Sequence, residues 1–303
     1  MNIGFRHRPG ALLFCGLLCA TAAPAAAQHP LDALRPALES RIAAHHGKVG
    51  LAVIDLASGD SLVLGEDAFP SASVIKVPVL IQLFHEVDRG RVGLGDPLTL
   101  IGIDKVPGSG ILQHLSTPHQ LTVEDAATLM IMLSDNTATN LLIDKLGIRA
   151  VNARMDTLGF AQSRLHAEVF GRSTTSIDMA ASERFGLGVT TPLELARMFE
   201  GLYRGTIVSP AASAKMIEIL KLQASHDRIP RYLGDVVVAH KTGEVNESRH
   251  DCGIVYAEGH DYVICIMTDE NEDQSWRLEN EATLLGAELA RMVHRALVPE
   301  SGS

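Results

Sequence analysis

Strand-forming segments occur at both ends of this 303-residue chain, and a long helical stretch separates them. Two apolar runs around a Ser-Gly-Asp turn occupy residues 48–67, and three more occupy residues 235–269. From residue 73 to about residue 204, apolar positions recur mostly at helical spacing. The apolar strands from the two ends of the chain can bury their faces together by forming one sheet. The predicted fold is therefore α/β (α+β): an antiparallel five-stranded sheet built from both termini and flanked by helices, with an inserted all-α domain.

The predicted organisation follows from this pattern. Residues 28–68 and 208–303 form the α/β domain, and residues 69–207 form the inserted all-α domain. The insertion contains one long irregular stretch, residues 162–189. Long irregular loops are usually functional or disordered.

Residues 1–27 have the pattern of a secretory signal peptide. Arg6 and Arg8 give a basic start, an apolar run follows, and small residues end it at Ala27. We expect cleavage before Gln28 and a periplasmic or secreted protein. No later segment is long and apolar enough to span a bilayer, so we expect no membrane anchor.

The charge and the composition exclude several kinds of partner. The formal net charge is −10, and an acidic chain without a basic cluster is a poor candidate for binding nucleic acid or an anionic membrane. There is no His-Glu-x-x-His, and the acidic run at residues 268–274 lacks the spacing of a calcium loop. We therefore expect no metal and no cofactor, and nothing in the sequence demands more than a monomer.

Two cysteines, Cys252 and Cys265, remain after removal of the signal peptide, in a compartment that permits disulfides. They flank a segment with the pattern of a hairpin whose turn lies near Glu258-Gly259, and this register places the two cysteines opposite each other. A cross-strand disulfide and a pair of buried thiols both fit, because directly cross-strand bridges are geometrically demanding. The role is structural in either case.

Three short polar motifs stand in order along the chain. They are Ser73-Val74-Ile75-Lys76, Ser134-Asp135-Asn136 and Lys241-Thr242-Gly243. Each is weak alone, since about one Ser-x-x-Lys is expected by chance in a chain of this size. Their order, spacing and separate structural contexts together indicate a catalytic site.

The first motif suits a serine nucleophile. Residues i and i+3 share a helix face, so Lys76 presents its amine beside the Ser73 hydroxyl. Ser71 has Val74 at that position, which makes Ser73 the better nucleophile. A lysine kept from water and among cations has a lowered pKa and accepts a proton. The alternative is a helix-capping serine with a surface lysine.

With these motifs the chain resembles the class A β-lactamases and their penicillin-binding relatives. The resemblance covers nearly all of the mature chain and includes the segments KVPGSGIL, SDNTATNLL and HKTG. It implies an active site between an α/β domain and an all-α insertion. It also implies that Ser73 is the nucleophile, Lys76 its amine partner and Ser134 the group that passes a proton to the leaving nitrogen.

The resemblance implies further contacts with the substrate. Asn136 would hold its amide side chain, and the Lys241-Thr242-Gly243 motif would hold its carboxylate. Backbone N–H groups of Ser73 and Glu244 would form the oxyanion hole.

The pattern departs from the family in residues 162–189. Class A enzymes use a glutamate in this loop to activate the water that releases the acyl group. Arg164-Leu165 matches the start of the loop, and Glu168 then falls one residue early, without the usual proline after it. Glu168 is the candidate base and Glu183 a second one; a solvated loop charge is the alternative for both.

The arginine that usually binds the substrate carboxylate is also missing, and Cys252 stands in its place. Arg249 or Arg277 would substitute for it from a neighbouring strand or helix. Either is equally an ordinary surface charge.

The predicted function is that of a secreted serine hydrolase that opens the β-lactam ring of penicillin- and cephalosporin-type antibiotics through a Ser73 acyl-enzyme. The alternatives are a penicillin-binding D,D-peptidase, a serine hydrolase acting on another substrate, or an acyl-trapping sensor with slow deacylation. All use a serine nucleophile, and Glu168 is the residue whose replacement separates the first from the rest. The expected partner is a small β-lactam.

Overall fold

The computed structural model describes residues 1–4 and 29–298. The predicted signal peptide and its cleavage site fall, apart from the first four residues, outside the described part of the chain. Across residues 29–298 there is no helix whose length and apolar character would let it cross a bilayer.

The strands make one large sheet and two small ones. They are β1 (Lys48–Asp55), β2 (Ser61–Leu64), β3 (Phe69–Pro70), β4 (Pro97–Leu100), β5 (His119–Thr122), β6 (Arg164–Leu165), β7 (Gly188–Thr190), β8 (Val237–Val245), β9 (Ser248–Tyr256) and β10 (Tyr262–Asp269). The large sheet is antiparallel throughout and has the order β2-β1-β10-β9-β8. The predicted five-stranded sheet from both ends of the chain is confirmed.

The helices connect and cover these strands. The α-helices are α1 (Pro30–Ala43), α2 (Lys76–Asp88), α3 (Val123–Met132), α4 (Asn136–Leu146), α5 (Ile148–Leu158), α6 (Arg172–Thr175), α7 (Met179–Phe185), α8 (Pro192–Tyr203), α9 (Pro210–Leu220) and α10 (Glu281–Leu297). Short 3₁₀-helices span Ala72–Ile75, Gly102–Asp104, Leu112–His114 and Ile229–Tyr232.

The sheet separates two hydrophobic cores because side chains alternate along each strand. In β1, Leu51 and Val53 belong to the core that α1 and α10 cover. Ala52 and Ile54 belong to the larger core, which extends into the helical region. α8 packs on the sheet side of that region, against β1, β9 and β10.

α2 lies at the centre of the helical region. Every residue from Lys76 to Phe84 is buried, which is expected of a helix that is apolar almost all round. Thr122 followed three residues later by Asp125 is a sequence pattern that predicts a helix start. α3 begins there, with a capping box in which Thr122 and Asp125 each accept the backbone N–H of the other. α4 follows after a three-residue break, so the second motif lies between two helices.

Three local details differ from the sequence-based expectation. Ser73 lies in a 3₁₀-helix, and the α-helix begins only at Lys76. The stretch 162–189 is not wholly irregular, because it contains β6, β7 and the short helices α6 and α7. For the last helix, the sequence pattern predicts a start at Ser275, but the helix begins at Glu281, after an Asn280 cap.

The hairpin of β9 and β10 has the predicted register, with Cys252 opposite Cys265. The two sulfur atoms are bonded at 2.09 Å, so the disulfide is the alternative that the structure contains. On the other side of β9, Cys252 is the register partner of Lys241. The disulfide thus joins β10 to β9, and β9 pairs with β8, the strand that carries the third motif.

Candidate active site

The three motifs meet at one cleft between the helical region and the β8 edge of the sheet. The cleft is lined by Ser73, Ser109, Met132, Leu133, Ser134, Gln223, Ala224, Ser225, Thr242, Gly243 and Glu244. It therefore contains at least one residue of each predicted motif. Among residues 29–298, no group of three or more His, Cys, Asp or Glu side chains is arranged to hold a metal ion.

Ser73 is presented to this cleft by a strained turn. Ala72, immediately before it, has φ = 42°, a conformation that costs a non-glycine residue about 1 kcal/mol or more. Ser71 is fully buried and donates its hydroxyl to Ala72 O. Of the two serines, Ser73 is the one that lines the cleft.

Lys76 lies wholly inside the protein, next to the second motif. Its Nζ donates to Ser134 O at 2.7 Å, to Ser134 Oγ at 3.0 Å and to Asn136 Oδ1 at 3.0 Å. Burial, and next the charge of Lys241, hold the pKa of Lys76 well below its usual value, against the opposing effect of Asp135. The lowered pKa favours the neutral amine, which is the form that accepts a proton.

Ser134 is held between two lysines. Lys241 Nζ donates to Ser134 Oγ at 3.1 Å and to Thr242 O at 2.7 Å, so the hydroxyl contacts both amines. Burial lowers the pKa of Lys241 to about 7, with Arg228 acting in the same direction and Asp251 and Glu244 opposing it. Ser134 has φ = 54°, a second strained residue in the site.

Gly243 allows β8 to approach the nucleophile closely. A Cβ at this position would lie 2.9 Å from Val74 N and 3.1 Å from Ser73 N, closer than side-chain carbons tolerate. Any other residue would therefore push the strand away from the turn that carries Ser73. The close approach puts the backbone of residues 243–244 beside the Ser73 N–H, as an oxyanion hole made by these two segments requires.

Asp135 and Asn136 organise the opposite wall. Asp135 Oδ2 accepts from Ile111 N at 2.7 Å and Leu112 N at 2.9 Å, while Oδ1 accepts from Ala138 N at the start of α4. Asn136 donates from Nδ2 to Pro107 O at 3.0 Å. The loop at residues 106–112 is thus fastened to the second motif along its length.

Glu168, the candidate base, is not among the residues that line the cleft. Its carboxyl group is hydrogen-bonded to that of Asp144 near the far end of α4, and burial, followed by the Asp144 charge, raises its pKa. Asp144 lies eight residues beyond Asn136, about 12 Å along the helix axis. Glu183 lies exposed in α7. Neither acid contacts Ser73 or Lys76 among the described residues.

Val169, not Glu168, is the loop residue fixed on the cleft side of α4. Asn140 accepts from Val169 N at 2.9 Å and donates to Val169 O at 3.1 Å. Asn140 lies one helical turn after Asn136, which accepts from Lys76 Nζ, so Val169 is fixed on the face of α4 that meets Lys76. The one-residue offset seen in the sequence therefore places the acid on the wrong side of this contact.

Arg249 is held by other contacts, and neither Arg249 nor Arg277 is among the residues that line the cleft. Arg249 is 3% exposed; its guanidinium donates to Ser248 O at 2.8 Å, to Ser275 O at 2.9 Å and to Val245 O, and it packs over Trp276. These contacts tie the end of the β8–β9 hairpin to the loop after β10. Arg277 is exposed, and its charge acts on Asp273.

Arg228 is the cation that sequence reasoning missed. It is 2% exposed, and its Nη2 is paired with Glu244 at the edge of the cleft. Its Nε and Nη1 have no hydrogen-bond partner within the described part of the chain, although Asp227 Oδ1 lies 3.7 Å from Nη1. No motif surrounds Arg228 in the sequence, and only the packing of the Ile229–Tyr232 turn against β8 and α10 brings it to the site.

The fold and the site together define a serine acyl-transfer enzyme, with a buried lysine three residues after Ser73 and a second buried lysine on β8. A sequence model described as "Beta-lactamase enzyme family" matches residues 33–297. This chain belongs to that family, and its fold is that of the class A serine β-lactamases.

Individual relatives agree with this classification. A β-lactamase of Rhodobacter capsulatus is 28% identical over 277 residues, covering 89% of this chain and 90% of the relative. The crystal structure of a β-lactamase from Sphaerobacter thermophilus is 29% identical with a TM-score of 0.77, covering 88% of this chain and 98% of that one. The L158E mutant of PBP-A, solved as an acyl-enzyme complex with penicillin G, is 30% identical with a TM-score of 0.77, covering 88% and 96%.

Proposed function

We propose that this serine hydrolase acts after export, and that it opens the β-lactam ring of penicillins and cephalosporins through an acyl-enzyme on Ser73. The observation that carries the proposal is the Ser134 hydroxyl, which lies 3.0 Å from Lys76 Nζ and 3.1 Å from Lys241 Nζ beside the Ser73 cleft. Two buried amines with lowered pKa values around one hydroxyl form a proton-transfer unit, which an ordinary structural serine does not need.

During acylation this proton-transfer unit first accepts a proton from Ser73 and then supplies a proton to the lactam nitrogen. The Ser73 proton passes to neutral Lys76 as Oγ attacks the lactam carbonyl, and the carbonyl oxygen becomes an oxyanion beside the Ser73 and Glu244 backbone. As the intermediate collapses, the carbon–nitrogen bond breaks and Ser134 gives its proton to the nitrogen. Lys76, which contacts Ser134, then returns a proton to Ser134. The balance is one new Oγ–C bond, one broken C–N bond and one proton moved from Ser73 to nitrogen.

Positive charge on the other side of the cleft suits the substrate carboxylate. Lys241 contacts Ser134, Thr242 lines the cleft, and Arg228 reaches the same edge through Glu244. Arg228 has two donor nitrogens without a hydrogen-bond partner among the described residues, and its guanidinium is the proposed second cation, with Lys241, for binding that carboxylate.

The rate at which the acyl group is released distinguishes two candidate functions. The first is a hydrolase with turnover, and the second is a penicillin-binding peptidase. A specific observation favours the second, a penicillin-binding peptidase with a long-lived adduct: Glu168 is paired with Asp144 and Val169 occupies the contact with Asn140. The likeness to PBP-A is in keeping with this candidate. Hydrolysis with turnover remains the primary proposal, because the family match and the curated relative from Rhodobacter capsulatus both carry the β-lactamase description.

The test is the intact mass of the purified protein, followed over time after addition of excess penicillin G, with hydrolysed product measured in the same sample. A transient adduct with many product equivalents supports the hydrolase. A persistent adduct with one equivalent or less assigns the peptidase-like function. Ser73→Ala is the control and should form no adduct, while absence of both adduct and hydrolysed product with the parent protein would overturn both functions.

Export rests on the signal-peptide pattern alone. The mass of the protein recovered from an expressing Gram-negative host tests it, because cleavage after Ala27 leaves Gln28 as the first residue. Recovery of the full-length chain in the cytoplasm would contradict the proposal.

A further inference from the structure

Phe170 occupies the corner of a tight turn next to the cleft. The turn is closed by Gly171 N donating to Glu168 O at 3.0 Å, and Asn140 holds Val169 within it. Phe170 has φ = 60°, which is a genuine outlier for a bulky side chain. Its side chain is nevertheless 66% exposed, so burial in the core does not explain why the strain is retained.

The ring of Phe170 is directed at the loop that borders Asn136. A Cβ on Gly108 would lie 3.5 Å from Phe170 Cε2 and 3.6 Å from Cζ, and 2.8 Å from Asn136 Nδ2. The aromatic ring and the Asn136 amide therefore lie close together at Gly108. Ser109, the next residue, lines the cleft and accepts from Asn136 N at 3.0 Å.

This rim of the cleft receives no large side chain from the loop itself. Gly108 and Gly110 have φ values of 89° and 101°, and a Cβ on Gly110 would lie 2.2 Å from Asp135 Cγ. Glycine is therefore required at both positions, and Phe170 supplies an apolar surface that this part of the loop cannot provide.

We propose that Phe170 is a specificity-determining residue whose ring forms an apolar wall beside the Asn136 amide and favours β-lactams with an aromatic acylamino side chain. The inference rests on the proposed acylation of Ser73 and on the assignment of Asn136 to the substrate amide. An acyl group whose amide lies at Asn136 extends its terminal group toward the ring. Aromatic rings in offset or edge-to-face contact attract each other beyond the burial of their area, and the exposed ring has surface available for such a contact.

The experiment compares two penams that differ only in the end of the acyl group: penicillin G, which carries a phenylacetamido side chain, and the same nucleus with an acetamido side chain. The second-order rate constant of Ser73 acylation is measured by intact mass for the parent protein, Phe170→Ala and Phe170→Gly. The glycine variant removes the ring and accepts the positive φ, so a strained backbone does not confuse the result. Met179→Ala, a change of an exposed apolar residue in the same loop, is the matched control.

The expected result is that both Phe170 variants reduce the preference for penicillin G by about fivefold, through slower acylation by that substrate, while Met179→Ala leaves the preference unchanged. An unchanged preference in the glycine variant, or an equal loss for both penams, would overturn the inference and leave the Ser73 mechanism intact. Failure of both penams to acylate the parent protein would overturn the proposed function, and the inference with it.

Discussion

The carboxyl group of Glu168 is hydrogen-bonded to that of Asp144. Replacing Glu168 therefore tests whether this residue has a structural role or a catalytic one. Glu168→Gln is expected to keep turnover and to stabilise the folded protein at neutral pH. Two like unit charges roughly 4 Å apart repel each other by about 1 kcal/mol at the dielectric constant of water, reduced somewhat by salt. The water value applies because Asp144 is exposed. Glutamine removes the repulsion and still donates to Asp144, so the free energy of unfolding should rise by about 0.5–1 kcal/mol.

The effect should depend on pH in a defined direction. Burial and the Asp144 charge raise the pKa of Glu168 above its ordinary value of 4.5. A carboxyl group with a raised pKa in the folded state stabilises it fully below the unfolded pKa, and this contribution is lost as pH rises through the folded pKa. The difference between Glu168→Gln and the parent protein should therefore be smallest below pH 4.5 and largest once Glu168 is ionised in the folded state.

Thermal unfolding between pH 4 and pH 8, with steady-state hydrolysis in the same buffers, measures both parts. A gain of about 1–3 °C in Tm at pH 7 is expected for a chain of this size. Glu183→Gln, which removes an exposed charge from the same loop, is the control and should change Tm little. A fall in turnover of about a hundredfold or more with accumulation of the acyl-enzyme would refute the reasoning, since that is the signature of a lost general base.

Three further changes test other parts of the site. Val169→Glu is expected to speed the loss of the Ser73 acyl group, seen as a shorter-lived adduct by intact mass. The reason is that the hydrogen bonds of Asn140 to the backbone of residue 169 would hold the new carboxylate beside α4. An unchanged adduct lifetime would contradict this placement. Arg228→Ala should raise KM by about tenfold with a smaller change in kcat, since a hydrogen bond to a charged group is worth about 1.5–3 kcal/mol. Arg228→Lys should recover part of the lost substrate affinity. Equal losses in kcat and kcat/KM would argue against a binding role. Replacing Cys252 and Cys265 together by serine should lower the free energy of unfolding by about 3 kcal/mol, as judged by urea unfolding, because the bond closes a loop of 13 residues' separation; an unchanged midpoint would refute a stabilising role.

The features that the sequence predicted well are those with a local signature. The β9–β10 register follows from a short hairpin, and the Thr122 cap follows from spacing within one helical turn. Ser73 and Lys76 lie three positions apart in the sequence, in the 3₁₀-helix Ala72–Ile75 and at the first residue of α2, which follows it directly. In each case the physical determinant lies within a few residues of the feature.

The features that escaped prediction depend on contacts between distant segments. Arg228 reaches the cleft only because the turn at Ile229–Tyr232 packs between β8 and α10, and no property of its sequence neighbours indicates this. The position of the Glu168 carboxyl group depends on which loop residue Asn140 holds. Because Asn140 holds Val169, the neighbouring Glu168 lies beside Asp144. The close approach of Gly243 to Ser73 likewise comes from a strand 170 positions later in the chain, which the sequence around Ser73 does not indicate.

The pairing of β1 with β10 determines when the enzyme becomes complete during its synthesis. Lys48 is the register partner of Asp269, so the central pair of the sheet joins segments separated by almost the full length of the chain. Contacts of such long range are formed late and slowly, because a long loop must close before they contribute. A growing chain that ends before residue 269 carries the nucleophile but lacks part of the strand that braces β9, and β9 in turn supports Lys241. Catalytic activity should therefore arise in one step, after the last strand has been made, and partial translation products should remain inactive.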